Sequence, residues 1–154
     1  MLNSTVAPVT SVAGQTICAG QTATISATGA ISVNHYQWFT DASGANLIAD
    51  STASIPVSPT QTDTFYVNIK ENPLCQSPLR LVIVTVNALP SISANATNPT
   101  ICAGQPVTLT GSGAQNYTWN NGVNNGVAFA PSTTTTYQVT GTDANGCNNI
   151  ASIL

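Results

Sequence analysis

Apolar and polar residues alternate in short runs along this chain, with no 3.6-residue apolar period. From Thr22 to Thr28 the order is Thr-Ala-Thr-Ile-Ser-Ala-Thr, and Val107 to Thr110 alternates in the same way. Tyr36-Gln37-Trp38-Phe39 and Tyr117-Thr118-Trp119 read as a further strand with the indole inward. Thr64 to Ile69 and Thr136 to Thr142 alternate an aromatic residue or valine with threonine or glutamine. Leu79 to Val86 is a longer apolar run of strand length. Turn clusters separate these runs: Asp41-Ala42-Ser43-Gly44, Asn120-Asn121-Gly122, Asn124-Asn125-Gly126 and Asp143-Ala144-Asn145-Gly146. Short, turn-punctuated runs of period two predict an all-β sandwich.

The pattern occurs twice. Thr16-Ile17-Cys18-Ala19-Gly20-Gln21 returns as Thr100-Ile101-Cys102-Ala103-Gly104-Gln105. Gly29-Ala30 then answers Gly113-Ala114, Trp38 answers Trp119, Pro59 answers Pro131 and Cys75 answers Cys147. One Trp and two Cys per copy predict two tandem domains of one family. The expected boundaries are 5–87 and 88–154, the second with its last strand cut short, with Asn87-Ala88-Leu89-Pro90 as the linker and residues 1–4 as the end of a preceding copy's last strand.

Composition narrows the class. Only 5% of the 154 residues are charged, against about 25% in an ordinary soluble domain. Solubility therefore rests on Thr, Ser, Asn and Gln, which points to an extracellular wall or fibre protein. The formal net charge of -3, with Lys70 and Arg80 as the two cationic residues, argues against nucleic acid as a partner. No apolar stretch approaches the ~18 residues of a membrane span. The start of the chain lacks a signal peptide's basic and apolar regions. Domains of this size are marginal without staples. Cys18, Cys75, Cys102 and Cys147 fit that need, and their recurrence at matching places suggests an oxidising compartment. Each disulfide would add about 3–4 kcal/mol by the chain-entropy model.

The runs Cys18-Ala-Gly-Gln, Trp38-Phe-Thr-Asp-Ala-Ser-Gly-Ala-Asn-Leu, Thr64-Phe-Tyr-Val and Cys75-Gln-Ser-Pro-Leu-Arg80 resemble the immunoglobulin-like repeats of large secreted surface adhesins of gliding bacteria. Copy two, with Thr142-Asp-Ala-Asn-Gly-Cys147, resembles a shorter relative close to the polycystic-kidney-disease-type repeat. Copy one departs from that turn, with Glu71-Asn72-Pro73-Leu74 in its place. The resemblance covers nearly the whole chain. It implies two tandem immunoglobulin-like sandwiches, in adhesins, filaments or enzyme stalks, often exported by the type IX route. It also implies Asp50-Ser51-Thr52 as a short bacterial O-glycosylation pattern, with Ser51 and Thr52 as acceptors.

Repeat logic pairs Cys18 with Cys75 and Cys102 with Cys147. An immunoglobulin-like strand order speaks against this, because it sets the two sulfurs of a domain one strand length apart (~17–20 Å), whereas a bonded pair needs Cα atoms within ~7 Å. Head-to-tail stacking would instead bring Cys18 near Cys147, and Cys102 near Cys75 of a further copy. The ends suggest the same continuity. Aligning the last cysteines sets Leu154 against Val82, and aligning Pro8 with Pro90 sets Met1 against Ile83. The expected partners are therefore further copies in a linear array or polymer, with surface glycans as a second class.

Candidate chemistry is sparse. Trp38 and Trp119 read as core, since the third strand of a sandwich commonly buries one; a sugar-stacking platform is the alternative. His35 would need an orienting carboxylate and a nucleophile to act as a base, and copy two has Asn116 in its place. Asp143-Ala144-Asn145-Gly146 reads as a hairpin turn rather than a calcium loop, which needs clustered carboxylates. No metal site and no cofactor is expected. The reading is a non-catalytic structural or adhesive repeat at the cell surface; the alternatives are a glycan-binding module and the stalk of a secreted enzyme.

Overall fold

The computed structural model describes residues 6–31, 35–72 and 74–154, and every regular element among them is a strand. The expected all-β fold of two tandem sandwiches is the one observed. One compact unit ends at Asn87 and the other runs from Ala88 to Leu154. Met1 to Ser4, expected to continue another copy's strand, lie outside the described residues. Among those residues, no helix is long and apolar enough to cross a membrane.

The first unit contains β1 (Ser11–Ala13), β2 (Thr16–Cys18), β3 (Ala23–Thr28), β4 (His35–Phe39), β5 (Leu47–Asp50), β6 (Ser54–Val57), β7 (Asp63–Asn72), β8 (Cys75–Gln76) and β9 (Arg80–Asn87). One sheet has the order β1-β3-β6, the other β2-β9-β7-β4-β5, with β8 paired to β7. Both sheets feed a single core. Alternation turns Ala23, Ile25 and Ala27 inward from β3 and Val82 and Val84 inward from β9, around a fully buried Trp38. The apolar run near the end of this unit is thus a two-faced strand, because Leu81 and Ile83 point outward.

The start of the unit changes sheets. β1 pairs antiparallel with β3, whereas β2 pairs parallel with β9 in the register Thr16↔Thr85, Ile17↔Val86 and Cys18↔Asn87. Gly14 sits at the switch, where an added Cβ would lie 2.0 Å from the Ile83 carbonyl oxygen. Only glycine lets the chain pass this close to β9.

The second unit is smaller. It contains β10 (Ser93–Ala96), β11 (Val107–Ser112), β12 (Asn116–Trp119), β13 (Ala128–Phe129), β14 (Tyr137–Thr142) and β15 (Asn148–Ile153). The sheet orders are β10-β11-β13 and β12-β14-β15. Val107, Leu109, Trp119 and Val139 form its buried core. Residues 97–106, which include the counterpart of β2, carry no strand. The register also corrects the cysteine-anchored alignment by one residue. Phe65 faces Val82 and the matching Tyr137 faces Ile153, so Ile153 rather than Leu154 stands at the place of Val82. The slip arises between β8 and β9: Lys70 faces Gln76 as the matching Thr142 faces Asn148, but residues 77–79 carry no strand before Arg80 faces Val67, whereas β15 runs on unbroken.

The landmarks that repeat in sequence are joined in space. The Ala30 N–H donates to the Tyr36 hydroxyl at 2.9 Å, and the Ala114 N–H donates to the Tyr117 hydroxyl at 2.7 Å. The preceding glycine has a positive φ in each copy, +119° at Gly29 and +98° at Gly113. A Cβ on Gly113 would fall 1.8 Å from the Ser91 carbonyl oxygen. Each indole N–H also finds an acceptor: the Thr52 carbonyl for Trp38 at 2.9 Å, and Asn125 Oδ1 for Trp119 at 3.0 Å. Asn125 Oδ1 accepts the Gly111 N–H as well, at 2.7 Å.

Two outcomes are expected. Asn125→Ala leaves two donors of the second unit without their acceptor and lowers its stability by about 1–3 kcal/mol per orphaned group; denaturant unfolding followed by indole fluorescence should show the second unit's transition moving and the first unit's staying in place. Gly113→Ala combines a left-handed backbone with a backbone clash and costs at least about 2 kcal/mol; an unchanged unfolding midpoint would contradict the close approach at Ser91.

Candidate functional site

The cysteines occupy two kinds of local frame. Cys18 and Cys102 each open a Cys-Ala-Gly-Gln turn in which the Gln N–H donates to the Cys carbonyl at 3.0 Å, with Gly20 and Gly104 at φ +88° and +79°. Cys75 and Cys147 each close a hairpin held by an Asx side chain. Asn72 Oδ1 accepts from the Leu74 N–H at 3.0 Å, and Asp143 Oδ1 accepts from the N–H groups of Asn145 and Cys147 at 2.8 and 2.9 Å. Asp143 is thus spent on its own turn, as the hairpin reading expects.

Cys18 and Cys147 are disulfide-bonded. Cys75 and Cys102 carry free thiols, Cys75 half-buried and Cys102 exposed. Two expectations are corrected here: the pairings of Cys18 with Cys75 and of Cys102 with Cys147 do not form, and within one chain only two of the four cysteines are oxidised. The topology explains the first. Cys18 lies beside Asn87 at the end of β9, whereas Cys75 lies opposite Asn72, beyond the start of β9. The eight residues of β9 span roughly 23 Å at about 3.3 Å each, far beyond the ~7 Å limit. In the second unit Cys147 precedes β15, while Cys102 lines a cleft that includes Ile153 at its other end.

That cleft has a volume of about 610 Å³ and is lined by Ile101, Cys102, Val107, Leu109, Tyr137 and Ile153, among others. Its rim carries the neutral hydroxyls of Ser132 to Thr135.

A polar cluster occupies the outer face of the larger sheet of the first unit. His35 Nε2 lies 3.1 Å from Asp50 Oδ1, and Gln37 Nε2 donates to Asp50 Oδ2 at 2.9 Å. The Ser51 hydroxyl also addresses Asp50 Oδ1, at 3.3 Å. Histidine, carboxylate and serine are therefore together, but both partners converge on the carboxylate. A nucleophilic relay requires the hydroxyl to donate to the imidazole, so this order of contacts is not one. Alongside, the Asn68 side-chain amide donates to Gln76 Oε1 at 3.0 Å, and the buried Asn68 Oδ1 has no partner among the described residues. Among the described residues no group of three His, Cys, Asp or Glu is placed to hold a metal.

The residues proposed for modification are in different states. Ser51 is exposed, at φ +74°. Thr52 is half-buried and its hydroxyl donates to the Ser54 carbonyl at 2.8 Å. Trp38 and Trp119 are both buried, and each of the other seven aromatic residues is buried or half-buried. Neither indole is therefore a sugar-stacking platform.

A family model described as the Ig-like domain, CHU_C associated, matches residues 6–90, more than half of the chain. The chain belongs to this family of Ig-like domains. No curated protein matches it. Among solved structures, the mouse nectin-like molecule 4 ectodomain (Ig1–Ig3) is 13% identical at a TM-score of 0.39, with 96% of this chain and 62% of that one covered. Three N-terminal domains of the bacteriophage RB49 Highly Immunogenic Outer Capsid protein are 16% identical at 0.38, covering 97% and 58%. Fibronectin(III)-like modules of Clostridium thermocellum CbhA are 17% identical at 0.35, covering 94% and 90%. The Ig-like chain spans less than two thirds of the first two.

The first Ig-like unit also holds a carboxylate with a displaced pKa. Asp41 accepts hydrogen bonds from the Ser43 hydroxyl, from the Asn46 N–H at 2.7 Å, and from the Ala45 and Ser43 N–H groups at 3.3 and 2.8 Å. The Ser43 hydroxyl and then the Asn46 N–H are the main causes that lower it to about 2; desolvation opposes them, and the Ala45 and Ser43 N–H groups contribute less. A depressed carboxylate stabilises the folded state fully above its unfolded pKa near 3.8 and loses that contribution as pH falls through about 2. Carboxyl-carbon NMR should therefore place the Asp41 midpoint near 2. A midpoint at the ordinary aspartate value would mean that this turn is not closed in solution.

Proposed function

We propose that this chain is a non-catalytic structural and adhesive repeat of an extracellular surface filament or large adhesin, and that its partners are further copies of itself in a linear array. The observation that carries the reading is the repetition of a self-sufficient unit. Each copy has its own core, its own Tyr-to-Ala bond and its own bonded indole. Repeats that each close their own core are suited to extending a chain by addition. The disulfide-bonded Cys18 and Cys147 fit an oxidising exterior. A surface with 5% charged residues keeps its hydration through hydroxyls and amides. The one histidine–carboxylate–serine cluster has an order of contacts that favours scaffolding over catalysis.

Immunogold electron microscopy on the cells that make the chain tests this reading. Label is expected on surface fibres or along a surface layer, at regular intervals. Label confined to the cell interior would overturn it.

A further inference from the structure

We propose that Cys102 of one copy forms a disulfide with Cys75 of the next, so that the array is joined covalently. The inference rests on the array reading above and adds its chemistry. Its starting point is the uneven use of equivalent positions. Each repeat has an opening cysteine, Cys18 or Cys102, and a closing cysteine, Cys75 or Cys147. The bonded set consists of one opening and one closing cysteine, Cys18 and Cys147. One opening and one closing cysteine are left over, Cys102 and Cys75.

The local frames make the leftover pair competent for the same bond. Cys102 sits in the turn that holds the bonded Cys18, with the same 3.0 Å Gln-to-Cys backbone contact. Cys75 closes an Asx-held hairpin, as the bonded Cys147 does. Both thiols are accessible to a second molecule.

Two departures from the repeat fall at these same two thiols. Beside Cys102 there is a cleft of about 610 Å³ that Ile101, Val107, Leu109, Tyr137 and Ile153 help to line; beside its counterpart Cys18, β2 is paired to β9 instead. Next to Cys75 stands Leu74, 94% exposed; next to its counterpart Cys147 stands Gly146, with no side chain. A protruding leucine beside one free thiol and a cleft with apolar side chains beside the other give the two surfaces a contact to bury when they meet.

The bond forms by exchange with a low-molecular-weight disulfide. The Cys102 thiolate attacks one sulfur of that disulfide, giving a mixed disulfide and releasing one thiolate. The Cys75 thiolate of a second copy then attacks Cys102 Sγ and releases the second thiolate. Two protein thiols are oxidised, the small disulfide is reduced to two thiols, and the protons pass through solvent.

The test is oxidation of the full chain with oxidised glutathione, followed by non-reducing electrophoresis and peptide mapping. A ladder of multimers that collapses on reduction is expected, with a Cys75–Cys102 linked peptide present in the multimers and missing from the monomer. Cys75→Ser and Cys102→Ser should each lose the ladder and stop at a dimer or below. An equimolar mixture of the two should give a heterodimer through the remaining thiols, and nothing larger. Monomer with both thiols still open to alkylation would overturn the inference, as would a ladder that persists in Cys75→Ser. Surface fibres labelled by immunogold in the absence of the linked peptide would leave the functional reading intact and remove this bond. The linked peptide together with purely intracellular label would do the reverse.

Discussion

A buried indole whose N–H has found an acceptor is the contact on which each sandwich depends. The ring fills the gap between two sheets, and removing such a side chain from a core costs about 3–5 kcal/mol. The N–H raises a second requirement, because a buried donor without a partner costs about 1–3 kcal/mol. The two units meet it differently. Trp38 uses the carbonyl of Thr52, so the turn after β5 must come back over the ring. This fixes Ser51 at its positive φ, and the Ser51 N–H donates to the Tyr36 carbonyl at 2.8 Å. Trp119 uses a side chain instead, and Asn125 then also holds the backbone of β11. The smaller unit, with only four residues in its buried core, thus relies on one amide for two bonds.

Neutral hydrogen bonds take the place of ion pairs elsewhere too. Thr10 and Ser11 both contact the Thr28 hydroxyl, and Thr22 meets Ser58 at 2.8 Å. Side-chain amides hold backbone at several points, as Gln15 does for the Thr24 N–H and Asn120 for the Gln138 N–H. Such contacts have no net charge for salt to screen. The stability of this fold should therefore vary little with ionic strength, in keeping with a chain that has only seven charged side chains, two basic and five acidic.

Much of this architecture was legible in the sequence. The period-two runs located β3, β7, β11 and β14, the Tyr-x-Trp landmarks located β4 and β12, and the long apolar run located β9. The paired Gly-Ala and Tyr-x-Trp landmarks marked contacts that both units make. Other elements left no such signal. β5 and β6 are edge strands of four residues, and Pro56 in β6 is tolerated because an edge strand need not donate on both sides. The switch from β1 to β2 is governed by how close Gly14 comes to β9, a tertiary fact. The cluster around Asp50 follows from the register that sets Gln37 opposite it. Equivalence of the cysteines was plain from the repeat, which favoured pairing within each copy; the strand order spoke against that by setting the two sulfurs of a copy a strand length apart, and Cys18 and Cys147, the alternative it left, are the bonded ones.

The parallel pairing of β2 with β9 has a mechanical consequence. A pull on the two sides of the first unit draws β2 toward its start and β9 toward its end. Once β1 has peeled from β3, these opposed forces run along the two strands. Thr16, Ile17 and Cys18 must then slide past Thr85, Val86 and Asn87 together, so the load is shared among their hydrogen bonds. An antiparallel edge such as β10 on β11, peeled from one end, instead opens one rung at a time, so the parallel edge gives the first unit a contact that must fail all at once.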